Sequence, residues 1–356
     1  MPAFSTRAWR ELDMDRPLFV SIIIPTFNGG KHIEETLASC SKIRSIPIEI
    51  IVVDDGSTDG TPERLLQRFP PITLHRLTGN SGSGSAGRNA GLALAKGRYV
   101  KFLDHDDLIQ PRGFTMECRE ALRTDADIVM SKWGVVSIDE HGRFLKESLR
   151  VLRPPDPDQL TEAILRGESM PYTAAALYKR SFVADERWDA TVSIIDDYDW
   201  FCRLALKGGK TITTDTIAYF WRLHPNSIQG RSHGEATIYE RLMFSRCCVY
   251  EKIEHHLESL GQLTQPRRQL LVRRYYDCLR CSCPNDRALL EHMQHLDPTF
   301  VVDAACEPDP RALWLIHQIG LPSFLLLYGF ARRFGGAVKR LRRRLSSLRL
   351  EPTGGL

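Results

Sequence analysis

The chain has 356 residues, 42% of them hydrophobic, and a formal net charge of +4. This length accommodates one large domain with an appendage, or two domains, and an apolar fraction close to that of soluble globular proteins argues against disorder. The charge is lopsided: residues 331–356 hold eight Lys or Arg against one Glu, a sum of +7, so the first 330 residues carry −3 and form a mildly acidic body. Nine cysteines without a secretory leader point to a reducing compartment. Cys278, Cys281 and Cys283 are closely spaced, but no second ligand pair follows at zinc-site spacing, so they are read as helix-face residues.

In chain order, residues 1–17 are a polar lead-in with no long apolar run, which argues against a signal peptide. Residues 19–24 are apolar and β-branched, and predict a strand buried on both faces and stopped by Pro25. A turn at 26–30 leads to a helix over 31–40, and a second strand over 48–53 ends in Asp54-Asp55-Gly56-Ser57-Thr58-Asp59. A helix over 62–69, a strand over 72–77, a Gly/Ser turn at 79–84, a helix over 85–95 and a strand over 99–103 complete the first half. Such alternation predicts an α/β fold with a mainly parallel sheet and a ligand cleft at its carboxyl edge. Polar or acidic clusters at 26–28, 54–59 and 104–107 all fall at that edge.

The fourth strand runs into Asp104-His105-Asp106-Asp107, three carboxylates within four positions. Gathering that charge is costly unless a cation or hydrogen-bond donors answer it. Mg²⁺ or Mn²⁺ suits carboxylate oxygens and completes its shell with water and phosphate; a solvated loop whose Asp caps the next helix is the plainer alternative. Gly82-x-Gly84-x-x-Gly87 spells a dinucleotide fingerprint, but after the third strand rather than the first, and the turn lacks a P-loop ending. Arg88 lies early in a helix, where a cation opposes the dipole, so it is expected to have an anionic partner.

Four motifs in order, 20–28 (Val-Ser-Ile-Ile-Ile-Pro-Thr-Phe-Asn), 53–59 (Val-Asp-Asp-Gly-Ser-Thr-Asp), 87–91 (Gly-Arg-Asn-Ala-Gly) and 102–107 (Phe-Leu-Asp-His-Asp-Asp), resemble glycosyltransferase family 2, the inverting enzymes of GT-A fold. The resemblance covers about residues 18–228. It implies a nucleoside-diphosphate sugar as donor and a divalent metal, Mn²⁺ or Mg²⁺, held by the D-x-D acids Asp104 and Asp106. It also implies a donor pocket lined by Pro25, Thr26, Asn28, and Asp54 or Asp55, with Arg88 and His105 near the nucleotide and Asp107 as a secondary candidate. Asp55 can accept from a uracil-type ring N–H, and a metal can neutralise a departing diphosphate.

The acceptor half is expected over 111–228, after a nucleotide-sugar half over 18–110. A strand begins at 127–133, a segment at 170–180 loosely matches the family's acceptor-side strand, and Asp196-Asp197 opens a helix closed by Gly208-Gly209. Members of the family often have Glu-Asp there, the second acid being the catalytic base; the resemblance carries that role to Asp197, with Asp196 as the secondary candidate. Acids in a first helical turn are also ordinary caps. An inverting displacement needs such a group to take the acceptor hydroxyl's proton. The segment 218–227 matches the family's strand-end pattern, which implies that His224 approaches the metal or diphosphate.

Residues 229–310 read as a helical extension without a chemical motif, with helices over 239–260 and 267–281 the clearest. The tail, 311–356, pairs an apolar stretch at 312–330 with a polybasic run to 349. His317, Gln318 and Pro322 interrupt the stretch, so peripheral contact with anionic lipid is favoured over a span, and packing on the domain is the alternative. No aromatic platform or recognition motif for nucleic acid is present. The expected protein is a metal-dependent inverting glycosyltransferase acting on a glycan or lipid-linked saccharide, cytoplasmic and peripheral at the inner face of the membrane. A sugar-nucleotide nucleotidyltransferase and a non-catalytic nucleotide-sugar-binding scaffold are the alternatives.

Overall fold

The computed structural model describes residues 19–139, 143–168, 173–192, 194–224, 236–281, 287–297 and 310–319. The apolar run near the amino end forms β1 (Val20–Thr26), with every residue buried. Its neighbours explain that burial: β2 (Ile48–Asp54) and β4 (Tyr99–Phe102) pair with it in parallel on either side, and β3 (Thr73–Arg76) extends the sheet beyond β2. The strand runs through Pro25 instead of stopping there. Pro25 shares the side of Ile23, which faces β4, and the β1–β4 pairing ends at Ile23, so no ladder bond needs the missing N–H.

Helices α1 (Gly30–Cys40), α2 (Thr61–Arg68) and α3 (Gly84–Leu94) alternate with these strands as expected. After them come β5 (Leu108–Ile109), α4 (Pro111–Thr124), β6 (Ile128–Ser137), β7 (Arg150–Leu152), α5 (Leu160–Arg166), β8 (Ala176–Lys179), α6 (Asp196–Lys207) and β9 (Thr211–Leu223). Among the described residues the sheet has nine strands in the order β3-β2-β1-β4-β8-β6-β9-β5, with β7 beside β6. Their pairings make β3, β2, β1, β4, β6 and β9 run one way and β8, β5 and β7 the other. The carboxyl ends of β1, β2, β4 and β9 therefore share one edge, and that edge receives the polar clusters.

Two features behind that edge fix its geometry. Lys101 on β4 and Glu117 on α4 are fully buried and 2.5 Å apart, and Ser131 Oγ on β6 donates to Glu117 at 2.8 Å. This satisfied polar group ties β4, α4 and β6 together. Gly113 lets α4 approach β9 closely: a Cβ there would lie 1.8 Å from the carbonyl oxygen of Ile217. Gly113→Ala is expected to cost at least about 1–3 kcal/mol by forcing the helix off the strand, read as a lower urea midpoint; an unchanged midpoint would refute the close approach.

The chain divides into two compact units, Met1–Ile238 and Tyr239–Leu356. In the second, α7 (Ala236–Ser259), α8 (Gln265–Cys281), α9 (Arg287–Leu296) and α10 (Pro310–Ile319) agree with the helical reading of the extension. Glu254 on α7 is buried and accepts from Tyr275 at 2.7 Å, with His292 Nε2 3.0 Å away, which joins three helices through one carboxylate. Among the described residues no helix is long and apolar enough to cross a membrane. Cys278 is a buried cysteine on α8, and Cys283 and the tail from 320 onward lie outside the described residues.

Candidate active site

The edge is built from three groups of side chains. The first surrounds the ends of β1 and β2. Asn28, in the left-handed region at φ 49°, accepts from Thr58 N at 2.9 Å, and its own N–H donates to Ser57 Oγ at 2.8 Å. This crosslinks the two turns. Pro25 and Thr26 are buried, Gly87 of α3 packs against Pro25, and Thr26 Oγ1 has no hydrogen-bond partner among the described residues. Asp54 has no exposed surface; it accepts from Ser57 N at 3.2 Å and lies 3.2 Å from Arg76 Nε. Asp55 accepts from Ser81 N at 2.9 Å and Ser81 Oγ at 2.8 Å, so the Gly/Ser turn hangs on its carboxylate. Sequence reasoning missed Ser81, although a Ser within a Gly-Asn-Ser-Gly turn is an ordinary partner for an acid.

The second group is centred on Arg88. This residue is 6% exposed, and its guanidinium lies 4.5 Å above the ring of Trp188. One nitrogen donates to Asp196 Oδ2 and the other to Asp104 Oδ1, each at 2.6 Å. Arg88 thus has the anionic partners its place in α3 requires, and they are the acids of β4's end and α6's start. Ser85 Oγ also donates to Asp196 Oδ2 at 2.7 Å. Asp197 lies beside this cluster with its Oδ2 3.5 Å from Thr173 Oγ1, which is also 3.4 Å from Asp104 Oδ2. Burial, aided by the charges of Asp196 and Asp104, pushes the Asp197 carboxyl up from 3.8 to about 7, although Arg88 and the Tyr198 N–H act in the other direction. Thr173, Trp188 and Ser85 carry no motif; only the fold brings them here.

The third group joins the β4–β5 turn to the end of β9. His224 Nε2 is 3.0 Å from Asp106 Oδ2. Burial raises the Asp106 carboxyl, but the hydrogen bond with His224 and the charges of His105 and His224 outweigh it and hold the group well below the usual carboxylate range. Asp107 is buried, and burial with the charges of Asp106 and Asp104 pushes it well up; its Oδ1 accepts from Arg222 N at 2.9 Å. His32 of α1 stacks on His224 with ring centroids 4.8 Å apart, and its Nδ1 finds no hydrogen-bond partner among the described residues. Burial, with the charges of Arg222 and His224, lowers the His32 pKa.

Among the described residues no group of three or more His, Cys, Asp or Glu is placed to hold a metal ion. Asp104, Asp106 and His224 are not equivalent: Asp104 is engaged by Arg88, whereas Asp106 and His224 form a pair. Their 3.0 Å separation matches two adjacent ligands of an octahedral ion with bonds of about 2.1 Å. Carboxylate plus imidazole is a donor set that suits Mn²⁺, and the remaining positions of such an ion are normally taken by water and substrate phosphates. The pair therefore fits a divalent ion as two of its ligands.

The sequence profile of Glycosyl transferase family 2 matches residues 21–187, the stretch from β1 through Trp188's neighbour Arg187. The chain is 26% identical to the succinoglycan biosynthesis protein ExoO of Rhizobium meliloti over 268 residues, 72% of this chain and 74% of that protein. It is 34% identical over 120 residues to the poly(ribitol-phosphate) beta-N-acetylglucosaminyltransferase TarP of Staphylococcus aureus, a match to 33% of this chain and 37% of that one. In fold it resembles S. aureus TarS 1–349 crystallised with UDP-GlcNAc, at a TM-score of 0.52 and 17% identity, over 89% of this chain and 92% of that one.

Proposed function

The chain belongs to glycosyl transferase family 2, and from that premise we propose an inverting transferase in which Asp197 is the base and the carboxyl edge of the sheet holds a nucleoside-diphosphate sugar. Membership makes it a glycosyltransferase that moves a sugar from a nucleotide-sugar donor to a glycan acceptor. The observation that carries the mechanistic reading is the Asp197 carboxyl. It is pushed to about 7 and lies beside acids at the sheet edge, where donors bind in open α/β sheets.

In this reading Asp197 accepts the proton of the acceptor hydroxyl as that oxygen attacks the anomeric carbon, and the diphosphate leaves from the opposite face. The new glycosidic bond forms as the old bond breaks, with no covalent enzyme intermediate. Arg88 holds Asp196 and Asp104 in place and opposes the rise in the Asp197 pKa. Thr173 spans the gap between base and D-x-D acid. Pro25, Thr26, Asn28 and Asp55 frame the nucleoside side, with Asp54 buried behind them as the brace of its turn. Asp106 and His224 would hold Mn²⁺ or Mg²⁺, with His105 contributing charge beside them. The ion would supply positive charge against the departing diphosphate.

The acceptor is a growing cell-surface polysaccharide or lipid-linked saccharide, a reading supported by the similarity to a succinoglycan biosynthesis protein. Peripheral contact at the inner face of the cytoplasmic membrane, through 312–349, completes the proposal. It is supported by Trp314, 46% exposed on α10, and by the basic sequence that follows.

The test is a panel of UDP-, GDP- and dTDP-sugars scored for Mn²⁺-dependent thermal stabilisation and slow donor hydrolysis. One donor class is expected to raise the melting temperature with Mn²⁺ present, and Asp106→Ala is expected to abolish that metal-dependent increment. Donor binding equally tight with and without Mn²⁺ would remove the ion from the mechanism. Release of pyrophosphate from a nucleoside triphosphate and a sugar phosphate would replace transfer with nucleotidyl chemistry.

A further inference from the structure

Arg222 is the most heavily engaged cation at the sheet edge, yet it has no part in the chemistry described above. Its side chain is 2% exposed on β9. Nε donates to the carbonyl oxygen of Asp106, and Nη1 forms a close ion pair with Glu35 of α1. Nη2 reaches the carbonyl of His32 at 3.3 Å and Thr36 Oγ1 at 3.4 Å. Its backbone N–H donates to Asp107 Oδ1 at 2.9 Å. Thr36 Oγ1 in turn lies 2.8 Å from the carbonyl oxygen of His105 and 2.7 Å from that of Asp107. Arg222 and Thr36 are therefore packed against three successive carbonyls, those of residues 105, 106 and 107, with the single Thr36 hydroxyl proton serving one of its two at a time.

The strand geometry gives this arrangement a consequence. Residues two apart on a strand lie on the same face, so Arg222 and His224 leave the end of β9 together. Arg222 then grips the peptide of Asp106, whose carboxylate meets the His224 ring. A single element thus sets both partners of the Asp106–His224 pair. We infer that Arg222 is a positioning residue: its guanidinium, braced by Glu35 and Thr36, fixes the separation and orientation of Asp106 and His224, and through them the affinity of this edge for a divalent cation. The cation half of this statement rests on the reading above; the positioning half does not.

A fork of donors is needed, because one nitrogen must face the Asp106 carbonyl while another faces Glu35. Lysine supplies the charge but carries its three donors on a single nitrogen. Two measurements test the inference on the full-length protein. Crystal structures without metal should show the Asp106–His224 contact, 3.0 Å in the wild type, opened by more than about 1 Å in Arg222→Lys, a loss of hydrogen-bond distance. Mn²⁺ titration by calorimetry should show a dissociation constant raised about 10- to 100-fold in the same variant, the range for partners that orient a ligand. Thr36→Val, which keeps the shape and removes the hydroxyl, should show a smaller change of the same sign and serves if the lysine variant does not fold.

A merely structural Arg222 predicts a lower melting temperature with the pair intact and Mn²⁺ affinity within about two-fold of the wild type; that result overturns the inference. If the wild type itself binds no Mn²⁺, the metal assignment fails, and the crystal structures alone decide the positioning: an opened pair supports it and an unchanged pair refutes it.

Discussion

Asp197→Asn is expected to lower the rate of transfer by about 10²–10⁴-fold, the contribution of a positioned general base, while making the protein more stable above pH 7. The two effects share one cause. The carboxyl is held near 7 by burial and by the charges of Asp196 and Asp104. Between its ordinary value of 3.8 and about 7, the folded protein keeps a proton that the unfolded chain has released. A raised pKa favours the folded state at low pH, and this contribution is lost as the pH rises through the folded value. Above pH 7 the native site therefore contains an ionised carboxylate that its surroundings disfavour. Asparagine has nearly the same shape and cannot ionise, so it avoids that cost.

At pH 8 the variant is expected to be more stable by roughly 1–4 kcal/mol, taking about 1.4 kcal/mol per pH unit as the upper scale. The gain should shrink as the pH falls towards 5. Urea midpoints at pH 5 and pH 8 measure this. In the wild type, kcat/KM for the acceptor should rise with pH through about 7, because the base must be deprotonated to act. A flat profile between pH 5.5 and 8, or full biological activity in the variant, would return Asp197 to the role of a helix cap and favour a non-catalytic scaffold.

The first half of the sheet is legible because its signals are local. Apolar β-branched runs, each ending in a polar turn, predict β1, β2 and β4 within two residues of where they lie, and their parallel register brings Thr26, Asp54 and the acids after Phe102 to one edge. The anionic partner of Arg88 was also legible, since a cation early in a helix requires one. Its identity was not. Asp196 is 108 residues away in sequence, and only the antiparallel insertion of β8 between β4 and β6 brings α6 back to the edge.

The same distance in sequence hides Thr173 and Trp188, which touch the acids and the guanidinium without belonging to any motif. Arg222 was hidden in a different way. It lies within a recognised segment, but a charged residue near a strand end reads as solvated, and nothing local reveals that its side chain is buried under Asp106. The division between Asp54 and Asp55 belongs to the same class. Adjacent acids on an extended chain face opposite ways, and the sequence does not say which one points inward to Arg76 and which to the Gly/Ser turn.

Removing Arg88 is expected to be the most destabilising single change at the site. Its charge answers Asp104 and Asp196 directly, each at 2.6 Å, and lowers the cost of ionising Asp197. Burial alone would lower the pKa of the guanidinium; the charges of Asp196 and Asp104 reverse that and raise it further, so it stays protonated at every accessible pH. Breaking a buried pair by deleting one partner typically costs about 3–5 kcal/mol because the other charge is left uncompensated, and here two are left. Arg88→Ala should therefore lower the melting temperature by about 10 °C at pH 8, at roughly 2–4 °C per kcal/mol for a domain of this size. The loss should be smaller at pH 5.5, where orphaned carboxyls can neutralise themselves by taking up protons. Arg88→Lys keeps a charge but loses the fork and the stack on Trp188, so it should recover only part of the stability. Whatever activity survives in Arg88→Ala should show its pH midpoint shifted upward, because the cation that opposes the rise at Asp197 is gone. Equal destabilisation at both pH values would mean that Arg88 acts by packing on Trp188 alone, and that the acids at this edge find their compensation elsewhere.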